Sequence, residues 1–208
     1  MTRYDKRVQA FAIGLSALAG YVDAIGFIQL GGFFVSFMSG NSTRLGVGLM
    51  ERSHDAAVAG GLIALFVTGV IAGSLAGRFA KAHRRSVVLL LVAVLLLAAA
   101  LAAAAGAIEV AIIAMVLAMG AENAVFEDDG ELHIGLTYMT GTLVKFGQRV
   151  AAAIMGGPRF AWAPFGLLWA GLVAGAVAGA TSFNWLGLSS LWIAAVIAGI
   201  FAIIARKL

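Results

Sequence analysis

Two short polar segments, one in each half of the chain, contain the side chains best suited to bind a ligand. Each has a glycine flanked by hydroxyl or amide residues and followed by a basic residue. The predicted substrate-binding residues are Ser39, Gly40, Asn41, Thr43 and Arg44 in the first segment and Tyr138, Thr140, Gly141, Thr142 and Lys145 in the second. Glycine permits the chain to turn, and an adjacent Ser, Thr or Asn can cap a helix. We therefore predict one short helix beginning near Gly40 and another near Gly141.

The start of a helix presents unpaired N–H groups and the positive end of the helix dipole, which favour an anionic or polar ligand. Two helix starts that face each other would form a binding site for a small solute. Arg44 and Lys145, one turn further on, would add positive charge. The alternative is that the glycines only permit close helix contact while the hydroxyls satisfy backbone groups. The recurrence of the polar cluster in both halves favours the binding site.

Asp23 lies within an otherwise apolar stretch, and Asn123 takes the corresponding place in the second half. An ionised carboxylate at membrane depth is costly unless it is paired. Both residues are assigned to the predicted solute site, where Asp23 would pair with Arg44 or Lys145 or carry a proton during transport. Its alternative role is a structural hydrogen bond at the Gly31–Gly32 break.

Glu122 is a second candidate for proton coupling. Its place near a helix end would also let its carboxylate reach the membrane surface. Tyr21, Phe37 and Tyr138 could line a pocket for an organic solute, but packing is the commoner role of aromatic residues in a chain of this composition.

Other chemistries are not expected. The chain contains no cysteine, which excludes disulfides, thiol catalysis and thiolate metal sites. His54, His83 and His133 lie in separate polar loops, without a second ligand at metal-binding spacing. Ser39 and Thr140 have no histidine in the apolar segments to activate them. We therefore expect no enzyme activity, no cofactor and no metal.

The composition indicates an integral membrane protein. Of 208 residues, 62% are hydrophobic and only 12% are charged, with a mean hydropathy of +1.01. A soluble domain has about a quarter of its residues charged, so this chain has too few polar residues to cover a water-soluble surface. The net charge of +4 does not indicate a nucleic-acid partner, because the basic residues lie in short loops between apolar stretches.

Six apolar segments are long enough to cross about 30 Å of hydrocarbon as helices. They are Val8–Leu30, Ala56–Gly77, Ser86–Ala105, Val110–Val125, Ala161–Ala180 and Leu186–Ala205. Two further stretches, Gly31–Met50 and Ile134–Met155, are either full crossings or short helices that enter the membrane without crossing it. With six crossings and both termini in the cytoplasm, all Lys and Arg residues except Arg44 and Arg52 lie inside. Eight crossings would move the four basic residues between Arg78 and Arg85 outside, so the positive-inside rule favours six. The acidic stretch Glu127–Glu131 is then a solvated cytoplasmic loop.

An internal repeat relates the two halves of the chain. Phe34–Gly46 aligns with Gly135–Gly147, and Gly20–Ala24 aligns with Gly120–Ala124. A ladder of glycines also recurs: Gly69, Gly73 and Gly77 align with Gly171, Gly175 and Gly179. Such small-residue ladders favour close helix packing within the molecule, with a dimer face or a sliding hinge as the alternative.

Each half, 1–105 and 106–208, contains three predicted crossings. Because three is odd, the second half must lie upside-down relative to the first. The sequence therefore predicts an all-α membrane fold of two inverted three-helix repeats, each with a glycine-broken half-helix. This architecture is typical of many secondary transporters.

The motifs also carry a family resemblance. The segments Ala19–Ala24, Phe37–Asn41, Thr43–Gly46 and Tyr138–Thr142 resemble the DUF1275 (YoaK-like) family of bacterial membrane proteins. The resemblance covers nearly the whole chain and implies an inner-membrane protein of about six spans, without an established activity. The chain departs from the family at Glu122, where we expect Gln in the family's Gly-x-Gln-Asn-Ala element.

The function favoured by these features is a small secondary transporter that binds a polar or anionic solute between the two broken helices. A passive channel and a structural membrane protein are the alternatives. The expected partners are the lipid bilayer, a small solute and a second copy of the chain in a homodimer, with no nucleic acid.

Overall fold

Eight α-helices follow one another within residues 5–128, 131–132 and 135–208, which are the parts of the chain that the computed structural model describes. They are α1 (Lys6–Gln29), α2 (Met38–Glu51), α3 (His54–Ala80), α4 (Arg84–Ala104), α5 (Ile108–Glu122), α6 (Met139–Ile154), α7 (Ala163–Leu186) and α8 (Leu191–Ile204). Short 3-10 turns occupy Lys81–His83, Asn123–Phe126, Gly187–Ser190 and Ala205–Lys207. Two strands of two residues, β1 (Glu127–Asp128) and β2 (Glu131–Leu132), pair antiparallel after α5.

The long helices confirm that all six predicted apolar segments are helical. Five continuous stretches are long and apolar enough to cross a membrane, and the last of them, Ala163–Lys207, has 45 residues and contains both α7 and α8. Gly187 separates these two helices with a φ of 56°, a conformation that glycine adopts without steric cost. The short α5 is extended by the 3-10 turn that follows it, which gives this segment 19 residues in all.

The glycine ladders hold two pairs of helices in close contact. On α7, a Cβ atom added to Gly175 or Gly179 would overlap the backbone oxygen of Ala17 or Tyr21 on α1. The residue numbers rise together along both helices, so α1 and α7 run parallel. Gly69 and Gly73 place α3 against the backbone of α5 in the same parallel sense. The prediction of close intramolecular packing is confirmed for these glycines.

Gly77, the last residue of the first ladder, has a different neighbour. A Cβ atom there would meet the side chain of Arg84 rather than the backbone of another helix. The ladder on α3 therefore contacts α5 over a shorter length than the sequence pattern indicated.

The remaining helices run antiparallel to their neighbours. Ser86, at the start of α4, donates a hydrogen bond of 2.8 Å to the carbonyl of Ala202, near the end of α8. Tyr21, late in α1, donates to the carbonyl of Ser190 at the start of α8 over 3.2 Å. Helices α1, α4 and α7 therefore run in one direction and α3, α5 and α8 in the other.

One end of the bundle carries most of the positive charge, and we call it the basic end. Phe11 of α1 packs edge-on against Phe126 after α5 and against Phe201 near the end of α8, with ring centroids 6.4 and 5.4 Å apart. The start of α1, the end of α3, the start of α4 and the end of α8 therefore lie together. These elements carry the basic residues Lys6, Arg7, Arg78, Lys81, Arg84, Arg85, Arg206 and Lys207.

Helices α2 and α6 are short and, unlike α5 and α8, which are of similar length, they are not extended by an adjoining 3-10 turn. They have 14 and 16 residues, or about 21 and 24 Å at 1.5 Å per residue, against about 30 Å of hydrocarbon. Because α1 leaves the basic end and α3 returns to it, α2 and the loop before it begin and finish at the opposite end. By the same argument α6 and its loop begin and finish at the basic end. Both segments enter the bundle and turn back.

The two short helices begin slightly earlier than the sequence suggested. Their first residues are Met38 and Met139, two positions before Gly40 and Gly141. The glycines therefore lie in the first turn of each helix and not at its cap. Gly31 and Gly32, with φ angles of 62° and 103°, make the turn that leads the chain back from α1 toward α2.

Candidate solute-binding site

The starts of α2 and α6 face a shared cavity of about 380 Å³. The first half contributes the segment from Ser36 to Ser39, and the second half contributes the segment from Thr137 to Gly141. Phe66 of α3 completes the lining. The structure thus brings together Ser39, Tyr138, Thr140 and Gly141 from the residues that the sequence analysis selected.

Equivalent positions of the two repeats line this central cavity in pairs. Hydroxyl groups come from two pairs, Ser36 with Thr137 and Ser39 with Thr140. Apolar surface comes from Phe37 with Tyr138, Met38 with Met139, and Phe66. The lining side chains carry no full charge at neutral pH, so the cavity offers hydroxyls, one phenol and two helix starts to a solute.

The backbone turns in the same way before each short helix. The N–H of Met38 donates to the carbonyl of Ser36 over 3.1 Å, and the N–H of Met139 donates to that of Thr137 over 2.9 Å. The residues at the two N-cap positions, Phe37 and Tyr138, make no side-chain capping bond. First-turn N–H groups, which lack partners within a helix, therefore point toward the cavity from both sides with the positive dipole ends.

Asp23 holds the loop in front of α2. Its Oδ1 atom accepts hydrogen bonds from the backbone N–H groups of Val35 and Ser36, over 2.9 and 2.7 Å. In the described residues it forms no ion pair with Arg44 or Lys145. The structural alternative therefore describes Asp23 better, although the bonds fall on residues 35 and 36 and not on the glycine turn. Asp23 reaches the cavity only through Ser36.

Asn123 holds the loop in front of α6 in the second half. Its Oδ1 atom accepts a hydrogen bond of 3.0 Å from the hydroxyl of Thr137, while its Nδ2 atom donates to the carbonyl of Met119 over 2.9 Å. The neighbouring Leu136 is held from α1, where Ser16 donates to its carbonyl over 3.1 Å. The two halves thus fix one cavity residue each, Ser36 and Thr137, through residues at matching positions.

Asn41 has its hydrogen-bonding capacity occupied by the backbone. The side chain is fully buried, with Nδ2 donating to the carbonyl of Phe34 over 2.7 Å and Oδ1 accepting from the N–H of Phe34 over 3.1 Å. Gly40 lies against the rings of Phe34 and Phe37. Thr43 is exposed and donates to the carbonyl of Ser39 in its own helix. These residues shape α2 and are not part of the cavity lining, and Thr142 on α6, which is buried, does not line it either.

The two basic residues of the predicted site lie away from the cavity. Arg44 covers the glycine turn, with its guanidinium carbon 4.5 Å from the ring centroid of Phe33 and Nη1 4.0 Å from Oδ2 of Asp55. Lys145 is exposed on α6. Neither residue lines the central cavity, so the structure does not bring these charges to a solute there.

Glu122 is fully buried, which confirms an interior position and not one at the membrane surface. In the described part of the chain neither of its carboxylate oxygens has a hydrogen-bond partner. Met115 and Met119, also fully buried, lie on the same face of α5. An ionised carboxylate here would be uncompensated and energetically expensive.

A cluster of charges that the sequence analysis missed lies next to the site. Glu127 accepts a hydrogen bond of 2.5 Å from the Ser74 hydroxyl, and its Oε2 atom lies 2.9 Å from Nη2 of Arg84. Nη2 of Arg78 lies 3.8 Å from Oε1 of the same carboxylate. Partial burial by itself raises the pKa of Glu127, but the hydrogen bonds from Ser74 and Arg84 and the charges of Arg84 and Arg78 outweigh it. The pKa therefore lies below its ordinary value.

The acidic stretch is thus not simply a solvated loop, because Glu127 is packed against α3 and α4. Asp129, Gly130 and His133 lie outside the described residues. A second cavity of about 420 Å³ borders the cluster. Its lining includes a stripe with a spacing of four residues along α3, formed by Phe66, Val70, Ser74 and Arg78. That spacing, which places residues on one helix face, was the sequence signal that could have revealed it.

The long apolar helices define a multi-pass integral membrane protein. Comparison with known proteins agrees: the family model of a protein of unknown function, DUF1275, matches residues 11–204. A UPF0700 transmembrane protein of Rhizobium meliloti (strain 1021) is 40% identical over 163 residues, which cover 78% of this chain and 70% of the relative. The chain belongs to the DUF1275 family. No solved structure matches it.

Proposed function

We propose that this protein is a small secondary transporter whose solute binds in the central cavity between the starts of α2 and α6. The observation that carries the proposal is the paired lining, in which both halves contribute equivalent positions to one cavity that carries hydroxyl groups. A site shared between two repeats near mid-depth is the arrangement by which inverted-repeat transporters bind their solutes. Movement of one repeat against the other would expose the cavity to each side in turn.

The architecture that we propose is six crossing helices in two inverted halves, α1–α4 and α5–α8. Its support is the mirrored packing: α1 lies parallel to α7 of the other half, and α5 lies parallel to α3. A Cβ atom on Gly20 would overlap Leu172 of α7, and one on Gly120 would overlap Phe66 of α3, in both cases at the backbone oxygen. The helices α1 and α5 run in opposite directions, as inversion requires.

The proposed inversion also implies a register of the repeat along the glycine ladders. Gly175 meets Ala17 as Gly69 meets Leu117, so Gly69 corresponds to Gly175 and not to Gly171. In the proposed arrangement the ladders are therefore shifted by one helical turn from the sequence alignment. A ladder with glycine at every fourth position aligns equally well after a slip of four residues, and only the contact with the partner helix fixes the match.

The proposed solute is small and polar or anionic. Hydroxyl groups can both donate and accept hydrogen bonds, whereas the two helix starts add donors and a positive potential that favour a carboxylate, a phosphate or another oxyanion. The aromatic and methionine side chains of the lining suit a solute with some apolar surface.

The proposed coupling ion is the proton, with Asp23 and Glu122 as the candidate carriers. Protonation of Asp23 would weaken the hydrogen bonds that its carboxylate accepts from the N–H groups of Val35 and Ser36. This would loosen Ser36, which lines the cavity. Glu122 could take up and release a proton only when water or a polar partner reaches it. The basic end is assigned to the cytoplasm of a bacterial inner membrane by the positive-inside rule.

A binding measurement tests the site. The purified protein would be screened by thermal shift against small carboxylates, inorganic phosphate and neutral polyols. The double variant Ser39→Ala with Thr140→Ala removes one cavity hydroxyl from each half and should abolish any solute-dependent shift. Ser42→Ala, an exposed α2 hydroxyl outside the lining, is the matched control. Stabilisation by the same solutes in the double variant would contradict the proposed site.

A flux measurement separates a transporter from a passive channel. Asp23→Asn keeps an oxygen that can accept the two N–H groups, as Asn123 does for Thr137, but cannot release a proton. In proteoliposomes a proton-coupled transporter should then lose gradient-driven accumulation and retain solute exchange. Conductive flux that Asp23→Asn leaves unchanged would favour the channel.

A further inference from the structure

The central cavity and the second cavity adjoin each other. Both are lined by Phe66 and Tyr138, so these two side chains form the partition between them. The partition side chain Tyr138 is 61% exposed, and it is not sealed into the protein core.

The second cavity extends from the partition toward the basic end. Its α3 lining proceeds from Phe66 through Val70 and Ser74 to Arg78 in the last turn, and Glu127 flanks it after α5. At this mouth two guanidinium groups, of Arg78 and Arg84, surround one carboxylate. The side chain of Arg78 remains 65% exposed, which leaves a positive group at the opening.

On the corresponding side of the first half three aromatic rings pack against one another, and they are less exposed than Tyr138, with Phe27 at 41% and Phe37 at 37%. The rings of Phe27 and Phe34 are tilted by 38° with centroids 4.9 Å apart, and Phe34 meets Phe37 edge-on at 5.0 Å. The repeat alignment places Glu127 opposite Phe27, Gly135 opposite Phe34 and Tyr138 opposite Phe37. Two of three rings are thus absent from the second half, where Gly135 packs closely under the Tyr138 ring.

We propose that the second cavity is a water-filled vestibule that connects the central cavity to the basic end, that Phe66 and Tyr138 gate it, and that the rings of Phe27, Phe34 and Phe37 close the opposite side. The structure is then the conformation open toward the basic end. This inference rests on the proposed transport function for its role, and the positive mouth makes an anion the preferred solute.

Cysteine labelling tests the path without any need for transport. The chain has no native cysteine, so a single introduced thiol reports its own access to a charged, membrane-impermeant methanethiosulfonate. Val70→Cys marks the vestibule and Thr140→Cys marks the central cavity. Arg206→Cys and Arg52→Cys mark the basic end and the opposite end and thus identify the side from which the reagent is added.

Val70→Cys and Thr140→Cys should both react from the side that labels Arg206→Cys and not from the side that labels Arg52→Cys. Tyr138→Ala should leave the rate at Val70→Cys unchanged and raise the rate at Thr140→Cys, because removal of the ring widens the opening between the two cavities. The matched change on the other side, Phe34→Gly, should make Thr140→Cys reactive from the side of Arg52→Cys.

An unreactive Val70→Cys in a folded protein would show that lipid or side chains fill the second cavity and would overturn the vestibule. Equal reaction of Thr140→Cys from both sides would overturn the one-sided closure. If labelling follows the expected pattern but no solute shifts the thermal stability, the path stands and the transport function fails. If a solute binds but the cavity cannot be labelled from the basic end, the proposed path is overturned and the transport function stands.

Discussion

The structure reassigns Asn41 from a ligand-binding residue to a clamp on the backbone of Phe34, and replacing it with alanine tests this change of role. Asn41→Ala removes the two hydrogen bonds with the backbone of Phe34, one to its carbonyl and one from its N–H, together with a weak bond from Nδ2 to the sulfur of Met38. The side chain is fully buried, so water would not replace both bonds without local rearrangement.

The expected loss of stability follows from the two backbone groups of Phe34 that are left without hydrogen-bond partners. An unsatisfied buried backbone group costs about 1–3 kcal/mol, and Phe34 is only half-buried, so the lower part of that range applies to each. We expect Asn41→Ala to reduce the free energy of unfolding by about 2–4 kcal/mol. For a chain of this size that corresponds to a fall in Tm of roughly 4–16 °C.

The assay is thermal unfolding of the purified protein in detergent, with Thr43→Ala as the control. Thr43 lies two residues further along α2 and is exposed, with its hydroxyl bonded within its own helix, so its loss should change the stability by less than about 0.5 kcal/mol. Solute binding should survive in the Asn41→Ala protein below its Tm. An unchanged Tm combined with lost solute binding would refute the clamp and restore Asn41 as a ligand contact.

Three further predictions follow from the packing and the charges. Gly175→Val should destabilise the protein by at least about 1–3 kcal/mol through overpacking, because any Cβ there overlaps the backbone of Ala17, whereas Gly199→Ala, with open space around it, should not lower the Tm. Glu122→Leu should raise the Tm, since it removes an unpartnered carboxyl from an apolar core; a fall would show a partner. The stabilisation by Glu127, whose pKa is lowered, should be complete above the ordinary carboxyl value and disappear as the pH falls through the lower native pKa. Unfolding followed from pH 7 to pH 3 should show this loss in the native protein and not in Glu127→Gln.

The periodicity and charge of the sequence were sufficient to predict the helices and the two segments that face the cavity. Those features depend on local patterns, such as the apolar stretches and the paired motifs around Gly40 and Gly141. The partners of individual side chains were not predictable in the same way. Arg44 and Asp23 are close enough in sequence to suggest an ion pair, but the turn at Gly31–Gly32 directs Arg44 to Phe33 and Asp55, and it directs the loop N–H groups to Asp23.

The partners of Glu127 were even harder to predict from local sequence patterns. Its three partners come from α3 and α4, and each is ordinary in its own sequence context: Ser74 within an apolar helix, and Arg78 and Arg84 in a basic loop. Only the parallel packing of α3 on α5, fixed by Gly69 and Gly73, brings Ser74 and Arg78 beside the residue that follows α5. Long-range packing therefore decides this site, and a local pattern could indicate only the polar stripe on α3.

The two halves share a scaffold but differ in the residues that could respond to a proton. Asp23 and Asn123 occupy matching positions, and each holds a cavity residue in place through its Oδ1 atom. Only Asp23 can change its charge, because an amide does not titrate in water. A proton that binds there would weaken the loop before α2, which lies beside the aromatic rings of Phe34 and Phe37, and would leave the loop before α6 unaffected. In the path that we propose, the carboxylate therefore lies beside the rings that close one side of the cavity, where protonation would loosen them, and the amide lies on the side of the vestibule.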